Sequence, residues 1–240
     1  LATLFGSNVA DLTLLFAILV FVAKRGLKIE GKILKHHAAY PFILLLPLIL
    51  GLDGYYSQLE GVALVVIGII FYYVALKNGI DKSLPFHNGI GRYKHALKLL
   101  LSMVVLLIGA HFTVTSAVSI ANFAGINPIL IGMLVVGLGT TMPELFFSLK
   151  CVKMKDDSLA IGDLLGTVLA DATIVVGILA LVSPFAFPVK IVYVTGLFMV
   201  ISSFLLFSFM RSGRNLSKRE ALFLFIFWIA FVLVELLASV

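Results

Sequence analysis

The chain has 240 residues, 61% of them hydrophobic and 12% charged, with one cysteine, a formal net charge of +6 and a mean hydropathy of +1.15. That composition excludes a water-soluble domain built round one core and describes an integral, multi-pass membrane protein. The lone Cys151 excludes an internal disulfide, and the placement of the basic residues argues against nucleic acid as a partner and for a bilayer.

Eight apolar segments can be drawn in chain order: 4–23, 38–52, 57–76, 99–121, 128–149, 158–182, 189–210 and 220–238. The second is short for a span, which predicts tilt or packing inside the protein. Leu1 is not a methionine and the chain opens within an apolar segment, so we expect polypeptide to precede it. Basic residues follow every odd-numbered segment. Lys24, Arg25, Lys28, Lys32 and Lys35 follow the first, and Lys77, Lys82, Arg92, Lys94 and Lys98 the third. Lys150, Lys153 and Lys155 follow the fifth, and Arg211, Arg214, Lys218 and Arg219 the seventh; Lys190 alone lies on the other side. The positive-inside rule then makes these connections cytoplasmic, turns those round Asp53, 122–127 and 183–188 outward, and leaves the C-terminus extracytoplasmic. The longest polar connection, 78–95, holds Gly79, Pro85, Gly89 and Gly91 and reads as a hinge between two bundles, 1–77 and 96–240.

Topology uses nearly all the positive charge, so no Lys or Arg remains in the interior of a drawn span, Lys190 standing at the very start of one, whereas Asp11, Glu144, Asp163 and Asp171 do. Each Asp at a bilayer centre costs about 2.5–3.5 kcal/mol on insertion scales. Carboxylates without fixed partners hold protons, face water or bind mobile cations. Glu144 closes the stretch Gly137-Leu-Gly-Thr-Thr-Met-Pro-Glu144, in which two glycines loosen the helix. Pro143 lacks the N–H that would bond to the carbonyl of Gly139. Unpaired carbonyls, the hydroxyls of Thr140 and Thr141 and one carboxylate are the donor set of a hard-cation site. The bland alternative is a proline kink with a Glu bonded to a neighbouring helix.

The chain also repeats itself. At a constant offset of 160, Gly6, Ala10, Asp11, Thr13, Ile18 and Leu19 match Gly166, Ala170, Asp171, Thr173, Ile178 and Leu179, and Ser7 matches the hydroxyl of Thr167. Spacing by four puts Ser7 with Asp11, and Thr167 with Asp171, on one helical face. By the charge count the two copies run in opposite directions across the membrane. Inverted repeats with a midplane site are the architecture of secondary transporters, and nothing in an enzyme or receptor requires them.

Two segments resemble the cation/calcium antiporters that include the sodium/calcium exchangers, whose paired alpha-repeats each carry a G-T-S-x-P-E helix and a G-N-x-x-G-S-N-x-x-N helix. Gly139-Thr-Thr-Met-Pro-Glu144 followed by Gly162-Asp-Leu-Leu-Gly-Thr-Val-Leu-Ala-Asp171 is similar to a complete second repeat. Gly6-Ser-Asn-Val-Ala-Asp11 is similar to the end of a first. The resemblance implies an all-α fold with inverted-topology repeats, about ten helices in the family and about eight here, the first two preceding Leu1. It implies a mid-membrane cluster in which Glu144 holds calcium, Thr140 and Thr141 add oxygens, and Thr167, Asp171, Ser7 and Asp11 complete neighbouring sodium sites. The missing N-terminal segment or a second chain would supply the remainder. Asp163 and Asp11 stand where Asn is common and Thr167 where Ser is common, which adds anionic capacity and leaves proton or potassium coupling open.

These features predict a secondary antiporter exchanging calcium for sodium by alternating access, with no resident cofactor. A proton- or potassium-coupled cation exchanger is the alternative within the class. A passive channel is another, and an intramembrane aspartyl protease, from Gly162-Asp163 and its paired acids, is the reading of another class. His111 is read as a hydrogen-bonded helix contact, Glu60 and Glu235 as acids near solvated helix ends, Cys151 as inert, and Tyr55, Tyr56 and Trp228 as lipid-facing or interfacial.

Overall fold

In hydrocarbon a single segment satisfies its backbone N–H and C=O groups most simply as a helix, and the apolar segments fold accordingly. The structure is a computed structural model that describes residues 1–30, 39–79, 92–124 and 136–239. In chain order the helices are α1 (Ala2–Ala23), α2 (Tyr40–Asp53), α3 (Gln58–Gly79), α4 (Arg92–Ala124), α5 (Gly137–Thr140), α6 (Met142–Lys153), α7 (Asp157–Val182), α8 (Val189–Gly213) and α9 (Lys218–Ser239). Among the described residues, five helices are long and apolar enough to cross a membrane: α1, α3, α7, α8 and α9. The short second segment is α2, broken at Leu44, one turn before a proline, Pro47, that cannot return a hydrogen bond to Ile43. Residues 92–95 join α4 rather than the polar connection, whose 80–91 lie outside the described residues, as do 125–135 of the fifth segment.

Two short antiparallel ribbons tie the helix ends together. Strand β1 (Leu27–Lys28) pairs with β4 (Asn215–Leu216), and β2 (Tyr55–Tyr56) pairs with β3 (Phe185–Ala186). The 25 residues of α8 run between β3 and β4, about 37 Å at helical rise, so the ribbons sit at opposite ends. At the first ribbon Arg25 grips both carboxylate oxygens of Asp157, at 2.6 and 2.7 Å, and the Lys28 N–H donates to the same group at 2.9 Å. The end of α1 therefore meets the start of α7, and the two run antiparallel. Connections following the first, fifth and seventh segments gather at this end.

The repeat extends well beyond the matched sequence. Helices α3 and α9 start and stop 160 residues apart. Each opens with a reciprocal capping box: Ser57 and Glu60 exchange bonds of 2.8 and 3.3 Å, Ser217 and Glu220 bonds of 2.8 and 3.4 Å. The left-handed residues before β2 and β4, Gly54 and Arg214, keep the same offset. So do two single π-helical turns, Asp11–Leu15 in α1 and Asp171–Val175 in α7, each beginning at the repeated Asp. Inside them Thr13 and Thr173 donate to the carbonyls of Val9 and Leu169.

Helix α1 is the axis of the bundle, with 78% of its span buried against 22% for α3 and for α9. It packs on α5, α6, α7, α8 and α9. Helix α9 lies along the second half of α1, as α3 lies along the second half of α7. Small residues set these distances: a Cβ on Gly61 would lie 2.8 Å from the Gly177 carbonyl oxygen, and one on Gly177 would lie 2.8 Å from that of Gly61. Tyr56 departs from the interfacial expectation: it is fully buried, donates to the Pro47 carbonyl at 2.6 Å and packs against Phe185 and Phe187. Because α3 cannot back away from α7 without losing this contact, Gly177→Ala lowers stability by about 1–3 kcal/mol. Gly162→Ala, with nothing within 4 Å of the new methyl, leaves it unchanged or raises it, as thermal unfolding in detergent will show.

Candidate ion-binding site

Three elements converge on the middle of the bundle. The chain turns between α5 and α6 at Thr141 (φ −83°, ψ −5°), and Pro143 sits in the first turn of α6. Against the expectation of unpaired carbonyls, backbone N–H groups at this turn donate to Gly137 and Gly139. The hydroxyls bond to the preceding turn as well: Thr140 donates to Gly137 at 2.8 Å and Thr141 to Leu138 at 2.9 Å. The same occurs on α1, where Ser7 donates to Leu4 at 3.0 Å. A hydroxyl that gives its proton to the backbone keeps its lone pairs as acceptors, so all three oxygens retain the polarity a cation requires. Thr141 and Ser7 are buried and Thr140 is exposed.

The four intramembrane acids come from three elements: Asp11 from α1, Glu144 from α6, and Asp163 and Asp171 from α7. Asp11 lies within electrostatic range of Glu144, Asp171 and Asp163, while Glu144 interacts with Asp163 and Asp171. Asp163, Thr167 and Asp171 share one face of α7 at successive spacings of four. Among the described residues no Lys or Arg is found in the groups acting on any of the four. One oxygen each of Asp11, Glu144 and Asp163 is buried without a hydrogen-bond partner among the described residues. Three His, Cys, Asp or Glu side chains are nowhere drawn, among the described residues, into a closed metal-ligand cluster. The carboxylates surround a region rather than already gripping a point within it.

The remaining described acids are all partnered. Asp157 has Arg25, Asp53 accepts from the Tyr55 N–H, Asp156 caps α7 at Leu159, Glu30 accepts from Ser158, and Glu60 and Glu220 belong to capping boxes. Glu235, read from the sequence as an acid near a solvated end, is instead buried at 7% exposure and accepts from Thr195 at 2.5 Å. His111, expected between helices, lies on an exposed part of α4. Sequence reasoning passed over Asn8, fully buried beside Ser7, whose side-chain N–H donates to the Val168 carbonyl at 3.3 Å. Tyr72 was also missed; its hydroxyl donates to the Gly166 carbonyl at 2.5 Å and lies near Asp171.

Antiparallel repeats around unpartnered carboxylates at mid-span define a secondary-transporter architecture. The chain belongs to the sodium/calcium exchanger protein family, whose profile matches residues 94–237. This is a family of transporters, and the protease reading is set aside. The chain is 34% identical over 144 residues to the sodium/calcium exchanger MaX1 of Methanosarcina acetivorans, covering 60% of this chain and 41% of that protein. It is 29% identical over 206 residues to the membrane protein MJ0091 of Methanocaldococcus jannaschii, covering 84% and 66%. The chain thus spans less than two thirds of the length of these relatives. The fold matches that of the sodium-calcium exchanger NCX_Mj soaked with Na+ and Sr2+, with a TM-score of 0.74 and 23% identity over 95% of this chain and 74% of that one.

The partnered and unpartnered acids separate experimentally. Glu235→Leu removes the bond from Thr195 and lowers stability by about 1–3 kcal/mol, whereas Asp171→Asn, which relieves repulsion from Glu144, leaves it unchanged or raises it, as thermal unfolding in detergent will show.

Proposed function

We propose that the chain forms the larger part of a calcium/cation antiporter that exchanges calcium for sodium across the membrane. The observation that carries this reading is the contrast among acids: those at helix ends have fixed partners, while among the described residues Asp11, Glu144, Asp163 and Asp171 have no ion-pair partner and the first three each keep a buried oxygen without a hydrogen bond. Four mutually repelling carboxylates are stable together in an apolar bundle only when protons or metal cations neutralise them. Calcium takes six to eight oxygens, and Glu144, Thr140 and Thr141 supply part of such a shell. Ser7 and Asp11 on one side, and Thr167, Asp171 and Asp163 on the other, supply flanking positions for sodium. Because the calcium and sodium positions adjoin within one group of coupled carboxylates, one ion set leaves before the other binds, and that competition couples their fluxes.

At the same offset of 160 the counterpart of Glu144 would fall seventeen positions ahead of Leu1. A preceding segment of the same polypeptide, or a second chain, would complete the cluster. The basic end carrying the β1–β4 ribbon would face the cytoplasm, and the C-terminus the opposite side. The extra carboxylates at Asp11 and Asp163 favour a second version of the reading, in which potassium or protons accompany or replace sodium.

The test is calcium uptake into vesicles holding the complete protein, driven in turn by sodium, potassium and pH gradients. Sodium-driven uptake abolished by Glu144→Gln supports the proposal. Uptake in the variant equal to that of the parent would refute it. Uptake that follows a pH gradient without sodium assigns the coupling to protons.

A further inference from the structure

We infer that Asn8 is a cation ligand of the first repeat, contributing a neutral oxygen beside Asp11 that the second repeat lacks. This rests on the proposed calcium/cation exchange and adds to it a residue with no partner in the repeat.

Asn8 is fully buried, and its amide is anchored on one side only. The Nδ2 group donates across the repeats to the Val168 carbonyl at 3.3 Å and touches the Met199 sulfur at 3.5 Å. Val168 is the residue equivalent to Asn8 at the offset of 160, so the pseudo-two-fold axis passes between them. That contact fixes which way the amide points, because the flipped orientation would set the side-chain oxygen against a carbonyl oxygen. With the nitrogen held toward α7, Oδ1 points elsewhere, and it is buried without a hydrogen-bond partner among the described residues.

An unsatisfied buried acceptor costs about 1–3 kcal/mol, so an oxygen held in this way calls for a donor or a cation. Three residues on, at a spacing that shares one helical face, Asp11 is also buried and also has an oxygen without a partner. Ser7, four residues before Asp11, donates its own proton to Leu4 and presents lone pairs on that side. Consecutive turns of α1 thus offer an amide oxygen, a hydroxyl oxygen and a carboxylate, a donor set matched to a hard cation. The π-helical turn that begins at Asp11 distorts α1 immediately after them. In α7 the equivalent face carries Thr167 and Asp171, but Val168 in place of the amide and Asp163 in place of Thr3. The two half-sites are therefore chemically unequal: one relies on a neutral oxygen, the other on an additional charge.

The competing role for Asn8 is a bridge, in which only the bond to Val168 matters. The roles order two substitutions oppositely. Asn8→Asp keeps an oxygen for the cation and loses the N–H to Val168, setting a carboxylate against a carbonyl. Asn8→Leu removes both. Radiolabelled calcium binding to the purified chain, at several sodium concentrations, is measured for both variants and for Glu144→Gln, with a monodisperse elution profile as the criterion of folding. A ligand role gives sodium binding, read from the concentration that displaces half the calcium, within threefold of the parent or tighter for Asn8→Asp and about tenfold weaker for Asn8→Leu. If Asn8→Leu does not fold, retained binding in Asn8→Asp supports the inference and lost binding overturns it. Equal loss in both variants, or greater loss in Asn8→Asp, overturns it in favour of the bridge. Asn8→Leu binding like the parent while Glu144→Gln fails to bind overturns this inference and leaves the exchange reading standing. Glu144→Gln binding like the parent overturns the exchange reading and this inference with it.

Discussion

The structure is organised by a conflict between apolar packing and charge. Asp11, with 1% of its surface exposed, lies in the most buried of the described spans, within reach of three other carboxylates and, among the described residues, of no Lys or Arg. A protein that needed only stability would place a well-packed apolar side chain there, since an unpaired buried charge is among the costliest features a core can hold. The rest of the chain shows that this sequence partners acids readily. Asp157 receives a bidentate Arg25, and Glu60 and Glu220 receive reciprocal serine caps. The absence of such partners from the central four, among the described residues, is what separates a site from a set of structural acids.

The repeat supplies what a single bundle would not, two orientations of the same device. Helices α1 and α7 run antiparallel, each breaks its regular winding at its own Asp, and each carries along its second half a lone helix from the opposite repeat. A π-helical turn holds one residue more than the α-helical turn it replaces and so carries extra length that can shift along the helix. The paired turns at Asp11 and Asp171 thus put the same irregularity at the same point of both repeats, facing opposite ways. Inverted repeats of this kind are the usual scaffold of secondary transporters.

Much of this was legible in the sequence because charge and hydropathy act over whole segments. The drawn segments 158–182, 189–210 and 220–238 fall inside α7, α8 and α9, and the matched Asp11 and Asp171 revealed the inversion before any helix was placed. The break before Glu144 followed from one proline and two glycines. What stayed hidden depends on three-dimensional neighbours. No composition signal announces a π-helical turn. Glu235 looked solvated because it lies near a helix end, yet Thr195 of a neighbouring helix covers it. The capping boxes were visible as Ser-x-x-Glu at 57–60 and 217–220, and taken together they would have carried the repeat into α3 and α9. The threonine hydroxyls at the break looked free, whereas short bonds to the preceding turn engage their protons.

Where the repeats agree they preserve geometry, and where they differ they alter chemistry. The ends of α3 and α9, the left-handed residues before β2 and β4 and the paired π-helical turns all keep one offset, because each fixes where a helix begins, ends or bends. The interface of α3 with α7 closes on Gly61 and Gly177, and its equivalent between α9 and α1 carries Ala221 and Ala17, both fully buried, so small residues hold the spacing on each side. Around the centre the pairs diverge: Asn8 stands against Val168, and Thr3 against Asp163. Symmetry of the scaffold suits two inverted arrangements of similar energy, and under the proposed exchange the asymmetry of the oxygens would make the positions between them prefer different cations. An exchanger needs both, since identical half-sites would bind either ion alike and a scaffold without the inversion would favour one arrangement over its inverse.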